Sequence, residues 1–194
     1  MLVENNGLDF KTAENSIKKL FECLKINLPD ETPKRYVKMM YDMTRYQNVS
    51  NQEIADLVNK TFEIDTETDS SNMVLVKDIE VFSLCEHHIA LMYDMKISVG
   101  YIPNKFVLGL SKIVRLADMV CKRLQLQEKI AEDILDIMKI LTRSSDIAVH
   151  IKAKHSCVTA RGIRNVSSET VTLNFNGKFL KDDFLKSSFL NSLS

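Results

Sequence analysis

The spacing of hydrophobic positions changes along the chain, and each change marks an element. Phe10, Ala13, Ile17, Leu20, Phe21 and Leu24 recur at helical spacing. "LPDETP" interrupts them before a second helical stretch, "KRYVKMMYDM". Ser50 followed by Glu53 reads as a capping box for a short helix through Val58, and the polar run "EIDTETDSSN" reads as a loop. From Met73 the period shortens. "MVLVKDIEVFS" is rich in β-branched residues, "MKISVGYI" alternates, and Pro103 to Lys105 signal a turn, which predicts two or three strands. Helical spacing returns in "LSKIVRLADMVCKRL" and "QEKIAEDILDIMKIL". Ile113, Leu116, Val120 and Leu124 form one apolar face, and Ile130, Ile134, Ile137 and Leu141 the next. "DIAVHIKAKHSC" and "ETVTLNF" alternate again before a short amphipathic tail, "DDFLKSSFLNSL". This order predicts an α+β fold, with an antiparallel β-sheet carrying helices on one face and a helical N-terminal region over 1–72 preceding one compact unit over 73–194.

Composition narrows the function. The chain has 194 residues, 45% of them hydrophobic, which suits a single domain with a sizeable core. Basic and acidic residues balance at 26 each, so no overall charge favours nucleic acid or a membrane surface, and any positive patch must be local. "MLVENNGLDF" carries Glu4 and Asp9 and no apolar leader core, and no run approaches the ~18 apolar residues of a membrane span. The expectation is a soluble, cytoplasmic protein with no nucleic-acid or membrane partner. In that setting Cys23, Cys85, Cys121 and Cys157 read as thiols or metal ligands rather than disulfides. Cys23 and Cys121 lie on apolar helical stripes and are expected to be core thiols.

The chemistry concentrates in "SLCEHHIAL". Cys85 and His88 are spaced to reach one ion from a single turn, and thiolate and imidazole are common zinc ligands. A lone Cys-x-x-His is more often incidental, and a structural zinc site would ask for a second pair, which the chain lacks. One remote ligand would leave a coordination position open. Cys157 is the candidate, because Ile147, Val149, Ile151, Ala153, His155 and Cys157 share parity and would project from one face of an extended strand. Three protein ligands and an open position is the arrangement of a catalytic zinc.

"CEHH", "GYIPNKFVLGLSKIVRL", "QLQEK" and "HSCVTARGIRN", in this order, strongly resemble the GTP cyclohydrolase I family over roughly Glu31 to Phe179. The resemblance implies a tunnelling fold and a Zn2+ enzyme that hydrolyses GTP at C8, releases formate and forms 7,8-dihydroneopterin triphosphate. It assigns the zinc to Cys85, His88 and Cys157, the set that spacing and parity select. His155 is implied to protonate the purine ring, and His87 with Ser111 to serve the later sugar steps. A histidine beside a ligand is otherwise often a bystander, and Ser111 before a helix also reads as an N-cap. Glu128, with Gln127 beside it, can accept from the N1–H and N2 amino group of guanine, although Glu128 also reads as a first-turn carboxylate favoured by the helix dipole. Lys112, Arg115 and Arg161 are candidates for the triphosphate, against the ordinary reading that such cations face solvent. Arg35 and Lys38 match family residues that reach the triphosphate from a neighbouring subunit, which implies a homodecamer.

Two other classes remain open from sequence. One is another tunnelling-fold enzyme, a pteridine synthase or the nitrile reductase of queuosine synthesis, although a reductase would not need the CEHH and H-x-C motifs. The other is a non-catalytic module whose zinc serves structure alone, which would unfold on metal removal.

Overall fold

The computed structural model describes residues 7–63 and 72–194. The loop expected over "EIDTETDSSN" falls almost wholly on 64–71, and the leader-free reading of the first residues concerns 1–6; both lie outside the described residues.

Three helices come first. α1 (Phe10–Cys23) is capped by Asp9, whose carboxylate accepts from Thr12 N at 2.9 Å. α2 (Thr32–Thr44) opens with Pro33 in its first turn, where the missing N–H costs nothing. The apolar stripe of α1 packs against α2, with the Phe10 and Tyr41 rings edge to face at 5.5 Å, but no residue of α1 is buried. Cys23 is therefore exposed, and the core-thiol expectation fails for it; Cys121 is buried as expected. α3 (Asn51–Val58) forms with the Ser50 and Glu53 capping box in place. It sends Ile54, Ala55 and Val58 into the main core.

The strands follow the antiparallel expectation. β2 (Val74–Cys85), β3 (Ala90–Tyr101), β5 (Ile147–His155) and β6 (Thr170–Phe175) form a sheet of order β2-β3-β5-β6, antiparallel throughout. β1 (Thr61–Glu63) pairs with β4 (Phe106–Leu108) in a separate ribbon. The sequence pattern does not announce β1, because three residues are too few for alternation to register.

α4 (Leu110–Cys121) and α5 (Gln127–Thr142) lie between β4 and β5 in the chain. Ile113, Leu116 and Val120 of α4 and Ile130, Ile134 and Ile137 of α5 are fully buried and share one core with Met92, Ile97, Val99, Val149 and Ile151 of the sheet. Each such side chain contributes about 1.5–3 kcal/mol of burial. Leu124, expected on the α4 face, lies beyond the end of that helix. The opposite face of the sheet is covered at one end by α7 (Lys178–Lys181) and α8 (Asp183–Asn191), through Phe179, Leu185 and Phe189 packed on Ile102 and Ala148. Phe189 comes so close that a Cβ on Gly100 would meet its ring at 2.8 Å, so only glycine fits there.

A buried ion network joins the helices to the segment between α4 and α5. Arg123 Nη1 lies 2.7 Å from Asp133 Oδ2 and 2.8 Å from Asn51 Oδ1, while its Nη2 donates to Val49 O at 2.6 Å. Asp133 also receives Lys129 Nζ at 2.7 Å and Asn51 Nδ2 at 3.1 Å. Removing one partner strands the other charge out of water. Asp133→Ala should therefore cost about 3–5 kcal/mol in urea unfolding, whereas Lys129→Ala, at a half-exposed position, should cost about 1 kcal/mol or less. Equal effects of the two substitutions would show that Arg123 does not depend on Asp133.

Candidate functional site

Strand register builds the site. Ser83 of β2 is opposite Met92 of β3, and Met92 is opposite His155 of β5, so the three lie in one row across the sheet. β2 and β5 flank β3 and run in the same direction, so the residues that follow Ser83 and His155 emerge at the same edge. β2 ends on Cys85, and β5 ends on His155. The chain then turns into α6 (Ser156–Thr159), which carries Cys157. Cys85 Sγ, Cys157 Sγ and a ring nitrogen of His155 all lie within 4.8 Å of one another. Cys85 is buried and the other two are half-buried.

This arrangement departs from the sequence expectation in two respects. Shared strand parity holds through His155, but Cys157 sits on a helical turn rather than the strand face, because the sheet pairing has already ended. The turn is fastened by Tyr93, whose hydroxyl donates to Thr159 Oγ1 at 3.0 Å. The imidazole grouped with the thiols is that of His155, not His88. His87 and His88 are exposed on the turn between β2 and β3, their rings edge to face with centroids 6.4 Å apart.

The first turn of α5 closes over the same row. The segment leading to it is bound to β2 by Gln125 N donating to Leu84 O at 3.3 Å and Ser83 Oγ donating to Arg123 O at 3.4 Å. Gln127, fully buried, places Oε1 2.8 Å from His155 Nε2. Glu128 is exposed in the first turn of the helix, as the dipole favours. Burial holds the His155 imidazole below its ordinary pKa, opposed by the nearby Glu128 charge. Burial pushes the Cys157 thiol up, and the neighbouring Cys85 adds to the shift. A thiol whose ionisation is disfavoured, as that of Cys157 is, is stabilised as the thiolate by a divalent cation. Two thiols and an imidazole are a donor set suited to zinc.

The remaining candidates are polar and available. Arg35 and Lys38 are exposed on α2, Arg115 is exposed and Lys112 half-buried on α4, and Arg161 is exposed after α6. None of the five forms an ion pair among the described residues. Ser111 is not the N-cap of α4: that position is Gly109, and Ser111 stands exposed inside the first turn.

Among protein families, a model described as GTP cyclohydrolase I matches residues 13–194. A Clostridium acetobutylicum protein named GTP cyclohydrolase 1 is 49% identical over 185 residues, covering 92% of this chain and 94% of its own. Proteins of the same name from Ruminiclostridium cellulolyticum and Clostridium botulinum are 47% and 43% identical, covering 91% and 95% of this chain and 93% and 97% of their own. A solved structure, an archaeosine synthase QueF-Like in the apo form, overlaps 55% of this chain and 94% of its own with a TM-score of 0.45 at 22% identity.

The thiol pair makes metal binding separable from the other cysteines. Cys85→Ser and Cys157→Ser should each lose the stoichiometric zinc that a chelator-competition titration detects, while Cys23→Ser and Cys121→Ser should retain it. Zinc uptake unchanged in both Cys85→Ser and Cys157→Ser would mean that the cluster is not a metal site.

Proposed function

This chain belongs to the GTP cyclohydrolase I family, and from that premise we propose that it is a zinc-dependent enzyme that opens GTP at C8, releases formate and forms 7,8-dihydroneopterin triphosphate. The observation that carries the reading is the convergence of Cys85, His155 and Cys157 within 4.8 Å beside the first turn of α5. Cys85 and Cys157 belong to both candidate ligand sets. His88 is proposed as the third ligand, following the family motif, which leaves His155 free for proton transfer. When bound, zinc supplies the Lewis acidity that ionises a water near neutral pH, the nucleophile that opening an aromatic imidazole ring requires.

The chain's own residues provide the rest. His155 holds the proton that N7 of the purine needs as C8 becomes tetrahedral, a task for which an imidazole is suited at neutral pH. Glu128 accepts from guanine N1–H and the N2 amino group, which orients C8. Lys112, Arg115 and Arg161 neutralise the triphosphate. His87 and Ser111 serve the proton movements that accompany ribose opening and ring closure. Arg35 and Lys38 reach the triphosphate of a neighbouring subunit in a homodecamer, so each site is shared between chains. This assignment fits a cytoplasmic enzyme, and no helix among the described residues is long and apolar enough to cross a membrane.

Zinc-loaded protein incubated with GTP should release formate and yield a product that becomes fluorescent, like neopterin, after oxidation. Chelation should stop the reaction while the far-ultraviolet circular dichroism stays largely intact; unfolding on chelation, with no metal-dependent turnover at any stage, would favour a structural zinc. Metal content should fall in His88→Ala and persist in His155→Ala, and the reverse result would exchange their roles.

The shared site has its own signature. Arg35→Ala should weaken triphosphate binding but keep zinc, and Cys157→Ser should do the opposite. Mixing the two inactive variants under subunit exchange should restore activity that neither parent has. Continued inactivity after exchange is verified would place Arg35 within its own subunit's site or outside catalysis.

A further inference from the structure

Gln127 is expected to meet guanine, yet its amide is consumed inside the protein. Only 1% of the residue is exposed. Its Nε2 lies 3.3 Å from Ile151 O, 3.1 Å from Thr170 O and 3.0 Å from Thr172 Oγ1, and its Oε1 lies 2.8 Å from His155 Nε2. A primary amide has two N–H donors, and here three acceptors surround them. Two of those acceptors are backbone carbonyls, which cannot donate. Turning the amide over would set Oε1 against both of them, so its orientation is fixed by the sheet edge. Oε1 must then face His155, and an amide oxygen only accepts. The hydrogen between them belongs to His155 Nε2.

A neutral imidazole carries one N–H. With that hydrogen held at Nε2, the lone pair lies on Nδ1. We propose that Gln127 is a positioning residue that locks His155 in its Nε2–H form and fixes the orientation of the ring, leaving the Nδ1 lone pair as its open position. Catalytic histidines are commonly held by a partner on the second nitrogen, and here an uncharged amide does this without adding a charge beside the thiols. The lock is rigid because Gln127 opens a helix whose Ile130 and Ile134 are fully buried, while its amide bridges β5 and β6. Adjacent residues thus divide the work: Gln127 faces inward to set His155, and Glu128 faces outward and stays free for the base.

The proposal rests on the cyclohydrolase reading only for the part His155 plays in turnover, and its test has an arm independent of turnover. Metal-free full-length protein labelled with 15N-histidine is studied by magic-angle-spinning spectroscopy, with the four histidines assigned by single substitution. His155 should be protonated at Nε2 in the wild type, and Gln127→Met should give a mixture of tautomers. Wild-type His155 protonated at Nδ1, or an unchanged His155 signal in Gln127→Met, overturns the proposal. The wild-type spectrum decides even if the variant fails to fold. In the zinc-loaded enzyme, Gln127→Met should lower kcat on the order of 10–100-fold, with KM for GTP and zinc content little changed. A raised KM with kcat retained would make Gln127 a guanine contact and overturn its positioning role. Absence of GTP turnover in the wild type would sink the cyclohydrolase reading, and the spectra would still decide the lock.

Discussion

The hydrogen-bonded row Ser83, Met92, His155 is the constraint on which the rest of this structure depends. Because β2 and β5 lie on either side of β3, they run the same way and end at the same edge, which brings Cys85 to the neighbourhood of His155 and Cys157 although two helices and two strands separate them in the chain. A register slip of one residue in β5 would turn His155 to the other face and take Val149, Ile151 and Ala153 out of the core with it, and the burial of those three side chains resists the slip. The apolar pattern that stabilises the sheet therefore also sets the chemistry at its end.

Helix α5 packs its first turn against that edge, with Gln127 hydrogen-bonded to His155. Its buried face is held by the core, and its start is held by the Arg123 and Asp133 pair, which ties the preceding segment to α3. The pair is more valuable for position than for stability. Two well-paired buried ions gain little over apolar packing, but breaking one leaves an uncompensated charge. Gln127 and Glu128 inherit the precision of this anchorage, one turned into the sheet and the other toward solvent.

The electrostatics of the site have one direction. Burial disfavours charge on both His155 and Cys157, and the neighbouring Cys85 pushes the Cys157 thiol further up. A cluster built this way is poorly suited to ionise alone and well suited to a cation that compensates two sulfurs at once. Arg161 acts electrostatically on Cys157, and Arg161, Lys112 and Arg115 form no ion pair with an acidic side chain among the described residues.

Much of this was legible in the chain. Periodicity marked α1, α2, α4, α5 and the long strands, the Ser50 and Glu53 capping box marked α3, and the CEHH and H-x-C motifs marked Cys85 and Cys157, because these signals lie within a few residues of one another. The tertiary structure alone decided the remainder. The exposure of Cys23 follows from what α1 lacks above it, and the turn that carries Cys157 follows from where β5 stops pairing. The grouping of His155 rather than His88 with the thiols, and the saturation of Gln127 by Ile151, Thr170 and Thr172, depend on strand register. Periodicity reports which face a residue occupies; only pairing between distant segments fixes which atoms meet across it, and hydrogen bonds are sensitive to that distance on the scale of tenths of an ångström.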